Sequence, residues 1–410
     1  RGARAPPAPG RPARTFVFHC LRPSRPRWAF RMNPSSLQTP YYLIDKAALL
    51  KNLQQAARLR ELSGARILLA LKCFATWPVF DLMQEYLDGT TSSSLFELKL
   101  GRQKFGGETH AYSVAWSGHE MAEAVAHADK IIFNSVSQLQ RLGGHAAGIP
   151  RGLRLNPQVS AAGYDLADPA RPFSRLGEWD VARVESVIDQ LDGFMVHNNC
   201  ENRDFARFDA LLGQMEERFA PLLARVDWVS LGGGIHFTAP GYPLEALAAR
   251  LRAFSQCHGV QVYLGPGQGV AQDRAPLEVS GVDTLHNGKP LAVVDAATES
   301  HMPDLLIYRL NAAGIDLVQD TPAIATPARP PAGSTAQRTL VCGKTCLAGD
   351  VFGEYEFPQA LEPGMRLSVR DAAGYTMVKK NWFNGVAMPA IAVRELDGQV
   401  RLVRSFGYQD

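Results

Sequence analysis

The residues of this chain that could do chemistry begin with Lys72. It ends the run Ala65-Arg-Ile-Leu-Leu-Ala-Leu-Lys72, in which six of the seven residues before the amine are apolar. Such a run reads as a strand buried on both faces that delivers an ammonium at its carboxyl end. Two glycine-rich segments come later, Leu231-Gly232-Gly233-Gly234-Ile235 and Leu264-Gly265-Pro266-Gly267-Gln268-Gly269. Absent side chains let backbone N–H groups approach an anion, so the pair points to a phosphate group, although one glycine cluster alone also serves a tight turn. One amine and one anion site suit a Schiff base to pyridoxal 5′-phosphate. The alternative is that Lys72 neutralises the phosphate of a sugar substrate. His197, in Met195-Val-His197-Asn-Asn-Cys200, could lay an imidazole over a cofactor ring or serve the structure alone. In Cys342-Gly-Lys-Thr-Cys346-Leu-Ala-Gly-Asp350 no second Cys/His pair lies nearby, so no metal is expected. Cys346 reads as a proton donor and Asp350 as a cation-binding carboxylate, with a reduced structural cysteine in a turn as the other possibility.

These groups need elements that bring them to one rim. Short apolar runs recur between helical stretches: Ile67 to Lys72, Gly89 to Ser92, His110 to Val114, Lys130 to Asn134, Gly152 to Asn156, Phe194 to His197, Trp228 to Leu231 and Val262 to Leu264. Eight such units predict a closed (β/α)8 barrel, with a doubly wound open sheet as the competitor. In a barrel, Lys72, His197 and both glycine segments fall at carboxyl strand ends, and phosphate is bound by the loops after strands seven and eight. Pro40 to Asp45 reads as a strand and Lys46 to Leu62 as a helix. Beyond Asp273 apolar alternation takes over, at Leu277 to Val282, Pro290 to Asp295, Met365 to Arg370, Ala390 to Arg394 and Gln399 to Arg404. These predict antiparallel strands of a second, all-β domain of sandwich or barrel type. The Pro/Ala/Gly-rich stretch from Thr321 to Ser334 reads as a loop.

The 410 residues, 46% of them hydrophobic, suffice for substantial cores. No stretch approaches 18 consecutive apolar residues, so a helical membrane span is not expected. Six scattered cysteines (20, 73, 200, 257, 342 and 346) do not make a disulfide scaffold and suggest a reducing cytoplasm. The net charge of +3 comes from residues 1 to 31, which hold eight Arg and no acid; the remainder is net −5, which argues against a nucleic-acid surface. That segment reads as a disordered basic leader before Met32, with an organelle transit peptide as the alternative.

Taken together, Lys72 in Ala-Leu-Lys-Cys-Phe, His197 in Val-His-Asn-Asn-Cys-Glu, Gly232-Gly-Gly-Ile-His236, His301-Met-Pro-Asp304, Cys346-Leu-Ala-Gly-Asp350 and Tyr375-Thr-Met-Val-Lys379 resemble the carboxynorspermidine/carboxyspermidine decarboxylases. These are pyridoxal phosphate enzymes of the alanine-racemase fold, related to ornithine and diaminopimelate decarboxylases. The likeness runs from about Thr39 to Gln409. It implies a cofactor-binding barrel over 32–273, whose first strand joins the β domain, and a β domain over 274–410. It implies that Lys72 forms the Schiff base and that His197 stacks on the ring. Gly232, Gly233, Gly234, Gly267 and Tyr375 would hold the phosphate, and Arg175, in Phe173-Ser-Arg-Leu-Gly177, would lie near the cofactor. Cys346 of the partner subunit in a homodimer with shared sites would return the proton to the carbanion, while Asp304 and Asp350 would grip distal amines. The implied reaction is decarboxylation to norspermidine or spermidine in cytoplasmic polyamine biosynthesis, with no nucleic-acid or membrane partner.

The resemblance departs at one stretch. Relatives typically carry Glu-Pro-Gly-Glu where this chain has Gly265-Pro266-Gly267-Gln268. The first Glu faces the pyridine nitrogen and keeps it protonated, which Gly265 cannot do. Gln268 would meet a substrate amine as a hydrogen-bond acceptor without charge. The rival readings are an enzyme of the racemase type and a non-catalytic homologue that binds cofactor or polyamine.

Overall fold

Eight parallel strands follow one another around a closed barrel: Arg66–Ala70, Gly89–Ser92, Glu108–Tyr112, Lys130–Phe133, Arg151–Leu155, Gly193–Val196, Trp228–Ser230 and Gln261–Leu264. The last pairs with the first, Leu264 opposite Ile67, which excludes the open sheet. All eight expected strands are present, including Gly89–Ser92. The computed structural model describes residues 31–32, 37–272, 274–318 and 337–410. The expected leader, apart from the short strand Arg31–Met32, and the expected loop from Thr321 to Ser334 lie outside the described residues. None of the described helices is long and apolar enough to cross a membrane.

The barrel interior is filled. Leu68, Tyr112, Ile132, Met195, Trp228 and Tyr263 pack inside it. Glycine is required at Gly193, where a Cβ would meet the Trp228 ring at 2.0 Å. Below them Glu108 accepts from Tyr263 Oη at 3.0 Å and faces His110 Nε2 at 3.1 Å, with Lys130 also ion-paired to it. This plugged amino end leaves the carboxyl end as the open face.

The helix expected over Lys46 to Leu62 spans Lys46–Ser63. Asp45 caps its start by accepting from the Ala48 N–H at 2.9 Å, and Gly64 in the left-handed region (φ 73°) ends it.

The second domain centres on a ten-stranded sheet. Its strands include the five expected ones, at Leu277–His286, Pro290–Val294, Arg366–Val369, Ala390–Arg394 and Val400–Arg404. Tyr41–Asp45 also belongs to this sheet, lying between Ala390–Arg394 and Leu277–His286. The sheet is mixed, not purely antiparallel. Tyr41–Asp45 runs parallel to Ala390–Arg394, and Pro290–Val294 runs parallel to Gln337–Cys342. A parallel pair needs a crossover, and the second one carries the helices Thr298–His301 and Pro303–Tyr308. Four strands of this sheet went unread in the sequence: Arg31–Met32, Ile315–Leu317, Gln337–Cys342 and Val351–Phe357.

Candidate active site

A cavity of about 600 Å³ opens at the carboxyl ends of the barrel strands, and residues of the second domain form its far wall. The first strand stops at Ala70, and a turn follows in which the N–H groups of Cys73 and Phe74 both donate to the Ala70 carbonyl, at 3.1 and 3.2 Å. That turn releases Lys72 from the sheet and sends its amine into the cavity. Lys72 Nζ lies 3.3 Å from His197 Nε2. Burial, with the nearby Arg154 charge, lowers the Lys72 pKa and favours the neutral, nucleophilic amine.

His197 directly follows the sixth strand. Its Nδ1 accepts the Gly233 N–H at 3.1 Å, so the ring proton resides on Nε2, facing the lysine. Burial first, then Lys72 and Arg154, hold its pKa well below the ordinary histidine value. Glycine at 233 is obligatory, because a Cβ there would meet the Gly265 carbonyl oxygen at 2.1 Å. The loops after strands seven and eight thus touch backbone to backbone, and Gly265 N–H donates to the Gly232 carbonyl at 2.7 Å. Gly233, Gly234, Gly265 and Gly267 line the cavity, with Gly232 packed behind them against His197. The N–H groups of Gly234 and Gly267 donate to no acceptor among the described residues. These are two free donors on the cavity rim.

The far wall carries Asp304, Tyr308, Tyr375 and Lys379. Asp304 opens the helix Pro303–Tyr308 and receives a hydrogen bond from Lys379 Nζ at 2.6 Å; that ammonium also sits over the Tyr308 and Tyr375 rings, 5.7 and 5.1 Å from their centroids. Burial, then Cys73, raises the Tyr375 pKa well above 10, so its phenol remains a hydrogen-bond donor. Gln268 also reaches the cavity.

Three expected site residues lie elsewhere. Arg175 is exposed and away from the cavity wall; its segment is held through the backbone, where the Arg175 carbonyl accepts from Asn134 Nδ2 at 2.8 Å. Asp350 is 3% exposed and saturated by donors from its own turn and from Thr298. Oδ1 accepts from Thr298 N–H and Oγ1, both at 2.7 Å, while Oδ2 accepts from Thr345 N–H at 3.0 Å and Oγ1 at 2.6 Å. Four donors on two oxygens leave no room for a substrate amine, so the expectation that Asp350 grips one is corrected: it braces the turn that presents Cys346. Cys346 is exposed and away from this cavity, its N–H donating to Asn384 Oδ1 at 2.8 Å.

Several cavity residues escaped the sequence reading, Arg154 and Glu201 among them. Arg154 stands in the fifth strand, 4% exposed; its Nη1 donates to Tyr112 Oη at 2.7 Å and its Nη2 to the His197 carbonyl at 3.5 Å. No carboxylate among the described residues pairs with it, and its Nε has no partner. The same signal that exposed Lys72, one charge in a buried apolar strand, was available in Gly152-Leu-Arg-Leu-Asn156. Glu201 lies just past His197, on the cavity wall. It closes the Val-His-Asn-Asn-Cys-Glu string that resembles the family, but no role was read for it there.

No family model matches the chain. It is 63% identical over 374 residues, 91% of this chain and 98% of the other, to a carboxynorspermidine/carboxyspermidine decarboxylase of Herminiimonas arsenicoxydans. A carboxyaminopropylagmatine decarboxylase of a Synechocystis strain shares 33% identity over 382 residues, 92% of this chain and 95% of the other. Among solved structures, carboxynorspermidine decarboxylase from Campylobacter jejuni, complexed with norspermidine, matches with a TM-score of 0.81 at 33% identity, covering 91% of this chain and 99% of that one. The chain therefore belongs to the carboxynorspermidine/carboxyspermidine decarboxylase family.

Proposed function

We propose that this protein decarboxylates carboxynorspermidine or carboxyspermidine with pyridoxal 5′-phosphate, releasing norspermidine or spermidine. The observation that carries the reading is the pairing of a lysine amine, with its pKa lowered, and a neutral imidazole 3.3 Å apart in a cavity on whose rim two backbone N–H groups lack partners. The cavity residues fit the cofactor: a nucleophilic amine suits its aldehyde, the Gly234 and Gly267 amides suit its phosphate, and a flat imidazole suits its ring. When bound, pyridoxal phosphate supplies an electron sink for the pair of electrons left behind as CO₂ departs.

The protein's own groups do the rest. Lys72 Nζ would hold the cofactor and, with its pKa lowered, serve as the amine that gives way to the substrate α-amine. His197, fixed in tautomer by Gly233, offers a neutral face beside that amine. Arg154, buried without a carboxylate partner among the described residues, supplies positive charge at the cavity wall, which favours anionic groups there. The turn braced by Asp350 presents Cys346 to the cavity of a partner subunit in a homodimer, where its thiol returns a proton to the α-carbon. Five free cysteines among the described residues accord with a cytoplasmic setting.

The test is visible absorbance and CO₂ release on the purified protein. An absorption band near 420 nm, roughly, is expected for the loaded enzyme, together with CO₂ from carboxynorspermidine in preference to carboxyaminopropylagmatine. Lys72→Ala should lose both. A Lys72→Ala protein that keeps the band overturns the Schiff-base assignment, and a yellow wild-type protein that releases no CO₂ overturns the decarboxylase reading.

A further inference from the structure

The substrate proposed above carries two amines beyond its α-amine, and as ammonium ions in a partly enclosed cavity they need negative partners. Three carboxylates line the cavity: Glu201, Asp304 and Asp371. Asp304 already faces an ammonium, that of Lys379 at 2.6 Å. Asp371 is engaged by other groups of the chain. Gln268, on the same wall, brings no charge. Glu201 differs from all of these in how it is held. Its backbone is left-handed, φ 58°, a conformation that a side-chain-bearing residue keeps only where its surroundings fix it. Its Oε2 lies 2.9 Å from His236 Nε2, and His236, 1% exposed, is fixed in turn by Gln272 Oε1, 2.7 Å from Nδ1. One carboxylate oxygen is thereby anchored to a rigid support, while no Lys or Arg pairs with the group among the described residues. The field of Glu201 reaches the cavity: after burial, it is among the charges that raise the phenol pKa values of Tyr375 and Tyr308.

We infer that Glu201, positioned by His236, binds a distal ammonium of the substrate. This rests on the decarboxylase reading. Asp304 is already met by the Lys379 ammonium, whereas Glu201 meets only an imidazole among the described residues and is the carboxylate placed to take up a substrate ammonium. His236 contacts neither substrate nor cofactor and acts through Glu201 as a positioning residue.

Calorimetric titration of the loaded enzyme separates these roles. The probes are norspermidine and N-propyl-1,3-diaminopropane, which has the same chain with one terminal amine replaced by hydrogen. The wild type should prefer norspermidine by about tenfold, the worth of one charge-assisted hydrogen bond. Glu201→Gln should bind the two probes equally and show KM for carboxynorspermidine raised by about tenfold, with the larger part of the loss in KM and not in kcat. Glu201→Asp, which keeps the charge, should recover part of the preference. If Glu201→Gln retains the wild-type preference, or loses affinity for both probes alike, the assignment is overturned. Failure of the wild type to release CO₂ would instead overturn the decarboxylase reading, so the two failures are distinguishable.

Discussion

Lys72 Nζ and His197 Nε2 stand 3.3 Å apart, and burial lowers the pKa of both. Two cationic groups at this separation would repel, and neither has a carboxylate partner among the described residues. Burial disfavours the charged form of each, and Gly233 decides the histidine tautomer.

This arrangement makes the protein acid-labile. His197 has a folded pKa well below its unfolded value of about 6.5, and burial pushes His301 down to about 4. Between each folded value and 6.5 the unfolded chain binds a proton that the folded chain refuses. Stability is therefore complete above pH 6.5 and is lost as pH falls through that window, by up to about 1.4 kcal/mol per unit for each histidine. Scanning calorimetry of the cofactor-free protein from pH 7 to pH 4.5 should show Tm falling. His301→Asn, which can still accept the Ala297 N–H now taken by His301 Nδ1, should flatten the slope.

Gly233→Ala should be severe. A Cβ 2.1 Å from the Gly265 carbonyl forces the two loops apart and breaks the Gly233 to His197 hydrogen bond. We expect a loss of about 3 kcal/mol or more in denaturant unfolding. Gly118→Ala is the contrast, since Gly118 opens the helix Gly118–Ala124 and a Cβ there meets nothing within 4 Å. It should be neutral or stabilising by about 0.5 kcal/mol.

Asp350→Asn places an amide N–H₂ among four donors. At least one of the Thr298 and Thr345 groups is then left facing a donor, at a cost of about 2 to 3 kcal/mol. Unfolding midpoints read that cost, and amide exchange should localise it to residues 343–350. A variant as stable as the wild type would show that the turn does not depend on this carboxylate.

Gly265→Glu should fold. The nearest atom to its Cβ is the Thr91 methyl at 3.1 Å, which can give by a few tenths of an ångström, and the backbone is not in the left-handed region. We expect less than about 1.5 kcal/mol of destabilisation. A new carboxylate on a wall that also holds Arg154 should shift the pH titration of the cofactor band. An unchanged titration would mean that the carboxylate does not reach the ring nitrogen.

Much was legible in the residues. Runs of apolar residues ending in Lys72, His197 and two glycine segments fixed both the barrel and the rim, because a buried parallel strand must be apolar throughout and must release its polar groups at its ends. Local pattern also gave the helix after Asp45 and five strands of the second sheet. The parallel pairings of that sheet were hidden, since alternation reports which faces are buried and carries no direction. The type and order of Asp350 suggested a ligand for amines, yet only the fold shows both its oxygens consumed by Thr298, 52 residues away, and Thr345. Arg175 matched a family string while its side chain points to solvent, and Arg154, unremarked in the sequence, took the buried place on the cavity wall. Hydrogen-bond saturation, ion pairing and burial are properties of groups brought together from distant positions. The sequence by itself determined the barrel and the amine at its mouth; the tertiary structure decided which groups of the chain the carboxylates Asp350, Asp304 and Glu201 already meet.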